Sequence, residues 1–143
     1  MGIIGYDDLA DYILSHYPAC ARVVEVGIGQ HPEVAQLLSG TFDLVCTDVI
    51  SPGPARLKYA KDDIFKPDLS LYRDAALIYS MRPPVDLQPS LARVAAGVGA
   101  DLIIRPFSSE KADLSHYYRR CQSVNHRSAY FYQYKRADIR AGH

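Results

Sequence analysis

The chain has few cysteines, no excess of either charge and no long apolar run, and each shortage excludes a class of protein. Its three cysteines, Cys20, Cys46 and Cys121, are odd in number and scattered without a C-x-x-C pair. That argues against a disulfide framework and against a structural zinc site. A reducing cytoplasm is the setting it implies. Lys and Arg number 16, as do Asp and Glu, so no overall field favours nucleic acid or an anionic membrane. No apolar stretch approaches the roughly 18 residues that cross a bilayer, and acids stand near the N-terminus where a secretory signal would have a basic end and an apolar middle. A membrane partner is therefore not expected. Internal repeats and low-complexity linkers are also absent.

What is present is the composition of a globular core. At 143 residues and 48% hydrophobic, residues 1–143 should form one domain that buries roughly two-thirds of its unfolded surface. The neutral total hides a polarised distribution: from His116 onward Arg119, Arg120, Arg127, Lys135, Arg136 and Arg140 face only Asp138.

The most informative stretch is Val23-Val24-Glu25-Val26-Gly27-Ile28-Gly29. A near-continuous β-branched run is the mark of a parallel strand covered on both faces, and the glycines let the backbone turn sharply or approach a ligand closely. An ordinary strand followed by a glycine turn has the same appearance. Before it, helical spacing of Leu9, Tyr12, Ile13 and Tyr17 predicts a helix over 6–17, with Asp7 and Asp8 in the first turn and Pro18 as its stop. After it, Pro32 suits the first position of a helix over 32–39, with Val34, Leu37 and Leu38 inward and Gly40 ending it.

A second apolar run over 42–49 places Asp48 at a strand's carboxyl end and completes a βαβ unit. Ser51-Pro52-Gly53-Pro54 cannot propagate a helix, so the crossover to a short third strand over 56–60 must be abbreviated. Asp62 and Asp63 follow that strand. A fourth run over 75–81 exits through Arg82-Pro83-Pro84, and an amphipathic helix over 86–96 carries Leu87, Leu91, Val94 and Ala95 on one face, closed by Gly97 and Gly99. A fifth strand over 102–104 leaves through Arg105-Pro106. Residues 110–123 read as helical, and 129–134 alternate aromatic and polar residues as a half-buried edge strand does. The whole is an α/β chain: a Rossmann-like open, mostly parallel sheet with helices on both faces, whose ligands bind outside the strands' carboxyl ends at the topological switch point.

The glycine turn departs from the dinucleotide fingerprint G-x-G-x-x-G, because Pro32 occupies the third glycine's position and removes an N–H donor. What remains, acid-x-Gly-x-Gly with Glu25, Gly27 and Gly29, resembles the first motif of the S-adenosylmethionine-dependent methyltransferases with a Rossmann-like fold. That resemblance implies that Asp48 holds the ribose hydroxyls and that Asp63 reaches the adenine amino group. A neutral-to-acidic rim also suits a cofactor carrying a sulfonium cation, an amino group and hydroxyls. Singly, each acid reads equally well as a cap or a solvated strand-end residue.

Taken together, VVEVGIG, the Pro-rich shortened crossover, KDDIF and IYSMRPPVDLQ resemble a small uncharacterised archaeal family, uncharacterised protein family number 146, over nearly the full length. The resemblance implies a minimal class I methyltransferase-like fold and no particular reaction. Amino-methylating enzymes of the wider superfamily place Asp or Asn, Pro, Pro and an aromatic residue at the end of the fourth strand. Here Arg82-Pro83-Pro84-Val85 stands instead, and arginine has no acceptor lone pair for a target amine.

Arg82-Pro83 and Arg105-Pro106 at neighbouring strand ends would border one crevice, where two guanidinium forks suit a carboxylate or phosphate. The second ligand is then an anionic small molecule or RNA phosphate, unless each arginine pairs with an acid such as Asp86 or Glu110. His31 in the turn reads as a cap, a ligand contact, a base or an exposed turn residue. His116, Cys121 and His126, spaced by five, do not stack on one helix face, so no metal site is expected. The basic, tyrosine-rich tail with Tyr117, Tyr118, Tyr130, Tyr132 and Tyr134 reads as packing with solvated charge or as a base-stacking surface. The leading expectation is an S-adenosylmethionine-binding, methyltransferase-like protein of unknown acceptor, catalytically active or not. So short a chain lacks the segments that usually wall a substrate pocket. The alternatives are a non-catalytic nucleotide- or RNA-binding module and a nicotinamide-dependent enzyme.

Overall fold

The structure is a computed structural model that describes residues 5–29, 31–50 and 56–141. The Pro-rich segment 51–54 lies outside the described residues. Helix α1 (Tyr6–His16) has Asp7 and Asp8 in its first turn and buries Leu9, Ala10, Tyr12 and Ile13; Tyr17 is already extended, at φ −128, as the following proline requires. Strands β1 (Arg22–Val26) and β2 (Asp43–Asp48) flank helix α2 (Glu33–Leu38), and β3 (Tyr59–Lys61), β4 (Leu77–Met81), helix α3 (Gln88–Val98), β5 (Asp101–Arg105), β6 (Gln122–His126) and β7 (Ala129–Tyr134) follow.

The seven strands form one sheet in the order β3-β2-β1-β4-β5-β7-β6. Pairing is parallel from β3 to β5, and β7 runs antiparallel to both of its neighbours. Strand β1 sits between β2 and β4, where the order reverses, so its carboxyl end opens on the crevice that such sheets use for ligands. Alternation along the strands divides the core in two. On one face Val23, Leu44, Cys46, Leu77, Tyr79 and Ile103 pack under α1 and α2. On the other, Val24, Val26, Ile78, Leu102 and Ile104 pack under α3.

Helices therefore cover both faces, thinly. The crossover 62–76 contains only a 3₁₀ turn, Leu69–Leu71, capped by Asp68, and fully buried Tyr72 fills the space beneath it. Residues 110–123 are not helical. Asp113 accepts the Ser115 amide at 2.9 Å, the kind of local bond that competes with a helix. Buried Tyr118 then ties the segment to the sheet by donating to the Ala100 carbonyl at 2.7 Å, and residues 122 and 123 are claimed by β6. Nor is 129–134 an edge. Strand β7 inserts between β5 and β6, and its polar Gln133 is buried because Tyr12 donates to it at 2.5 Å and its own amide donates to Tyr17 at 3.1 Å. The hairpin residue Arg127, at φ 56, leaves the largely exposed β6 on the edge.

Smaller differences have local causes. The short α2 buries Val34, Ala35 and Leu38 and turns Leu37 outward, 48% exposed. Gly97 lies within α3, and Gly99 alone ends it, with φ 76 and an N–H that reaches the Ala95 and Ala96 carbonyls. Pro32 precedes the first residue of α2 by one. Strand β3 starts three residues later than its expected beginning.

Candidate functional site

The carboxyl ends of β1, β2 and β3 converge on one cavity. Past Val26 the chain turns back toward β2: the Gly27 amide donates to the Thr47 carbonyl at 2.8 Å and the Ile28 amide at 3.2 Å. Ile28 is buried in the α1/α2 face of the core, which fixes the turn from below. Gly27 and Gly29 have φ 77 and 54. A Cβ on Gly27 would meet only Ser80 Oγ, at 3.9 Å, so the left-handed backbone rather than crowding calls for glycine there. Beyond the turn, the Gly29 amide donates to Asp48 Oδ2 and the Val49 amide to Asp48 Oδ1, both at 2.7 Å. One carboxylate thus joins the glycine turn to the end of β2.

Asp62 and Asp63 divide their tasks. Asp62 accepts from the Tyr72 hydroxyl at 2.6 Å and from the Asp68 amide at 2.9 Å, so both its oxygens serve the crossover. Asp63 Oδ1 accepts the Phe65 amide at 2.9 Å, and the residue is exposed. The cavity, about 340 Å³, is lined by Val26, Gly27, Asp48, Asp63, Ile64 and Leu87 among others. Three of the five expected cofactor residues, Gly27, Asp48 and Asp63, are therefore brought together, and Gly29 joins them through its bond to Asp48.

Glu25 is not on the wall. It is 0% exposed, with Oε1 accepting the Tyr79 hydroxyl at 2.5 Å and Oε2 without a hydrogen bond. Burial, with Glu33 and Asp48 adding negative charge nearby, pushes its carboxyl up to about 8 against the bond from Tyr79. The same burial and the adjacent carboxyl raise the Tyr79 hydroxyl well above its usual value. At neutral pH Glu25 is thus mostly a neutral acid beneath the glycine turn.

A second cavity, about 760 Å³, opens at the ends of β4 and β5 and is lined by Arg82, Pro83, Pro84, Asp86, Phe107 and Glu110 among others. Of the two expected arginines Arg82 lines this cavity and Arg105 does not, although their backbones adjoin: Met81 and Arg105 are register partners, and the Arg82 amide donates to the Arg105 carbonyl at 2.6 Å. Arg82 has φ 53, and its guanidinium carbon lies 5.4 Å from the centre of the Phe107 ring. Arg82 is not ion-paired with Asp86 or Glu110; the pairs made by Arg22, Lys58 and Arg127 lie at Asp43, Asp8 and Asp11. The Arg105 guanidinium donates to the Pro106 carbonyl. It is held below its usual value by burial and by the charge of Arg82.

Sequence reading missed Gln88, which joins the two walls of this cavity. Fully buried at the start of α3, its amide donates to the Pro83 and Glu110 carbonyls at 3.4 Å each, and its oxygen accepts the Ala112 amide at 2.8 Å. A signal was there: Gln88 stands one turn before Leu91 on the helix's inward stripe, where a polar residue needs a reason. The remaining candidates disperse. His31 lies 3.7 Å from Glu33, and His126 pairs with Asp11 at 2.8 Å. Among the described residues no three His, Cys, Asp or Glu side chains converge on a metal position. No helix among them is long and apolar enough to cross a membrane.

Sheet order, the single reversed strand and a glycine turn facing two strand-end acids define a Rossmann-like α/β domain of the methyltransferase type. The likeness extends to solved structures. A ribosomal RNA methyltransferase from Plasmodium falciparum superposes with a TM-score of 0.64 at 12% identity, covering 95% of this chain and 98% of that one. A TehB-like S-adenosylmethionine-dependent methyltransferase from Corynebacterium glutamicum gives 0.60 at 13% identity, covering 90% and 86%. Identities this low establish a shared fold only. Within it, the chain belongs to the uncharacterised protein family UPF0146, whose model matches residues 6–136. UPF0146 proteins of the archaea Methanothermobacter thermautotrophicus and Archaeoglobus fulgidus are 41% and 38% identical to it, each over 90% of this chain and over 94% and 93% of their own lengths.

Proposed function

We propose that the protein binds S-adenosylmethionine in the first cavity and acts as a methyltransferase on an acceptor held in the second. The observation that carries this reading is the joining of Gly27, Asp48 and Asp63 on one 340 Å³ cavity, with Asp48 already fixed by the Gly29 amide. The residues fit the cofactor. Val26, Ile64 and Leu87 offer apolar walls for a planar base, and a carboxylate accepts about four hydrogen bonds, so Asp48 keeps lone pairs for ribose hydroxyls after serving two amides. Asp63, whose Oδ1 serves the Phe65 amide, keeps its second oxygen to accept from an exocyclic amino group.

Bound S-adenosylmethionine supplies a methyl group made electrophilic by its sulfonium. The protein's part is alignment: the glycine turn, Asp48 and Asp63 orient one ligand, and the Gln88-braced walls of the neighbouring cavity orient the other, so that two reactants meet in line. Acids without a basic cluster at the first cavity suit a cation and disfavour a diphosphate. This weighs against a nicotinamide cofactor, as does Pro32 ahead of a helix of only six residues.

Isothermal titration calorimetry with S-adenosylmethionine, S-adenosylhomocysteine, NAD and NADP tests the reading. Binding of the first two is the expected outcome. Binding of NAD alone would remove it, and binding of none would leave an interaction module.

A further inference from the structure

Helix α3 lacks the polar outer face of a surface helix. From Leu91 to Val98 its only charged residue is Arg93, and its exposed line is Pro89, Arg93 and Gly97, whereas a helix at a surface ordinarily turns a charged or polar face to solvent. Glycine also weakens a helix interior relative to alanine. A Cβ on Gly97 would nonetheless meet nothing within 4 Å, so no contact within the described residues calls for glycine there.

Beside α3 the crossover 62–76 supplies a 3₁₀ turn where a helix would complete the layer. Ile64 and Tyr72 of that crossover share a half of the core with α3, and a groove of about 590 Å³ remains between the two segments. Val94, Gly97 and Val98 form one wall, and Phe65, Pro67 and Leu69 form the other. Phe65 and Leu69 are 48% and 49% exposed. Phe65 also lines the first cavity, so an occupant of the groove touches a wall of that cavity.

Shape and charge together select the occupant. Arg93–Gly97 and Val94–Val98 are adjacent i±4 rows of α3, and the furrow between such rows receives a ridge of another helix. Glycine in one row lets the partner's backbone come close. The charged residues lining the groove are Lys66 and Arg93, both cations, and among the described residues neither takes part in an ion pair. Arg93 donates to the Phe65 carbonyl at 3.3 Å and keeps further N–H groups for an acid. A second copy docking through the same face would set these cations against their own kind, and a flat membrane surface cannot enter between two walls.

We propose that this groove docks an amphipathic helix of a second protein, its apolar stripe seated on Phe65, Leu69, Val94 and Val98 and its flanking acids facing Lys66 and Arg93. The docked helix stands where the abbreviated crossover leaves a helix out.

Selection on the parent protein from a displayed library of random peptides about 15 residues long, enough for a marginal helix, reads this chemistry. Recovered peptides should carry apolar residues at i, i+3, i+4 and i+7 with acids beside them, and their synthetic forms should bind in fluorescence anisotropy. Gly97→Leu, whose side chain occupies the groove, should weaken that binding at least about tenfold. Its urea midpoint should equal or exceed the parent's, because leucine favours the helix and displaces nothing. Lys66→Glu alters an exposed side chain and should weaken the acidic peptides about threefold. It decides the matter should Gly97→Leu fail to fold.

Recovered peptides that are basic or lack helical spacing, affinities that survive both substitutions, or no peptide binding below about 1 mM would overturn the proposal. A dimer in sedimentation that Gly97→Leu dissociates would put a second copy in the groove instead. Binding to phosphatidylglycerol vesicles that the same substitution abolishes would put a membrane there, and either result would also overturn it.

Discussion

The Gly29 amide and the Asp48 carboxylate, 19 residues apart in sequence, are joined by a 2.7 Å hydrogen bond that closes the glycine turn of β1 onto the end of β2. With the Val49 amide on its other oxygen, Asp48 both shapes the cavity and faces it.

Asp48→Ala should therefore act on stability as well as on binding. Two amides lose a charged acceptor, and partly solvated bonds of this kind are worth roughly 1–3 kcal/mol. Urea denaturation should show a lower midpoint with an unchanged slope, and Asp48→Asn, which keeps one acceptor oxygen, should fall between the variant and the parent. A midpoint equal to the parent's would show that the turn does not depend on this carboxylate.

Glu25 predicts an unusual dependence of stability on pH. Its carboxyl titrates near 4.5 when unfolded and is pushed up to about 8 when buried. Between those values the folded protein holds a proton that the unfolded chain has lost. Stability then falls as pH rises through that window, with a slope approaching about 1.4 kcal/mol per pH unit, and the penalty is complete above it. Glu25→Gln, neutral at every pH and still able to accept from Tyr79, should flatten the fall and be the more stable protein at pH 8. Parallel pH profiles for parent and variant in denaturant titrations would contradict this account of the buried acid.

Gln88→Leu tests the brace across the second cavity. Leucine fills similar space but leaves the Ala112 amide and the Pro83 and Glu110 carbonyls without their partner, a loss of roughly 1–3 kcal/mol for buried groups. Hydrogen exchange at Ala112 should accelerate while exchange in β1 and β4 keeps its order. Unchanged exchange at Ala112 would mean that the wall stands by itself.

The central strands were legible because a parallel strand buried on both faces leaves a near-continuous apolar run, as in 22–26 and 42–49, and Asp48 falls where the second of these runs stops. Glu25 looked like a wall residue because its motif position was visible and its depth was not: the buried carboxyl is bonded to Tyr79, its register neighbour on β4, which only the assembled sheet reveals. The segment 110–123 kept helical spacing in Leu114 and Tyr118, yet tertiary contacts used those two residues without a helix between them. Strand β7 read as an edge because its alternation marks one polar face, and the polar residue on that face, Gln133, turned out to be buried against two tyrosines from α1 and its C-terminal boundary. Gln88 was overlooked since a polar residue near a helix start is ordinary, and its three backbone partners come from loops whose courses no local pattern encodes.

The most direct test of the central claim is a titration of the isotopically labelled protein with S-adenosylmethionine, followed by NMR. The account predicts saturable shifts centred on Val26, Gly27, Asp48, Asp63, Ile64 and Leu87, the residues at the ends of β1 to β3, with the β6 edge unmoved. Shifts confined to other surfaces, or no shifts here at concentrations where NAD produces them, would contradict it.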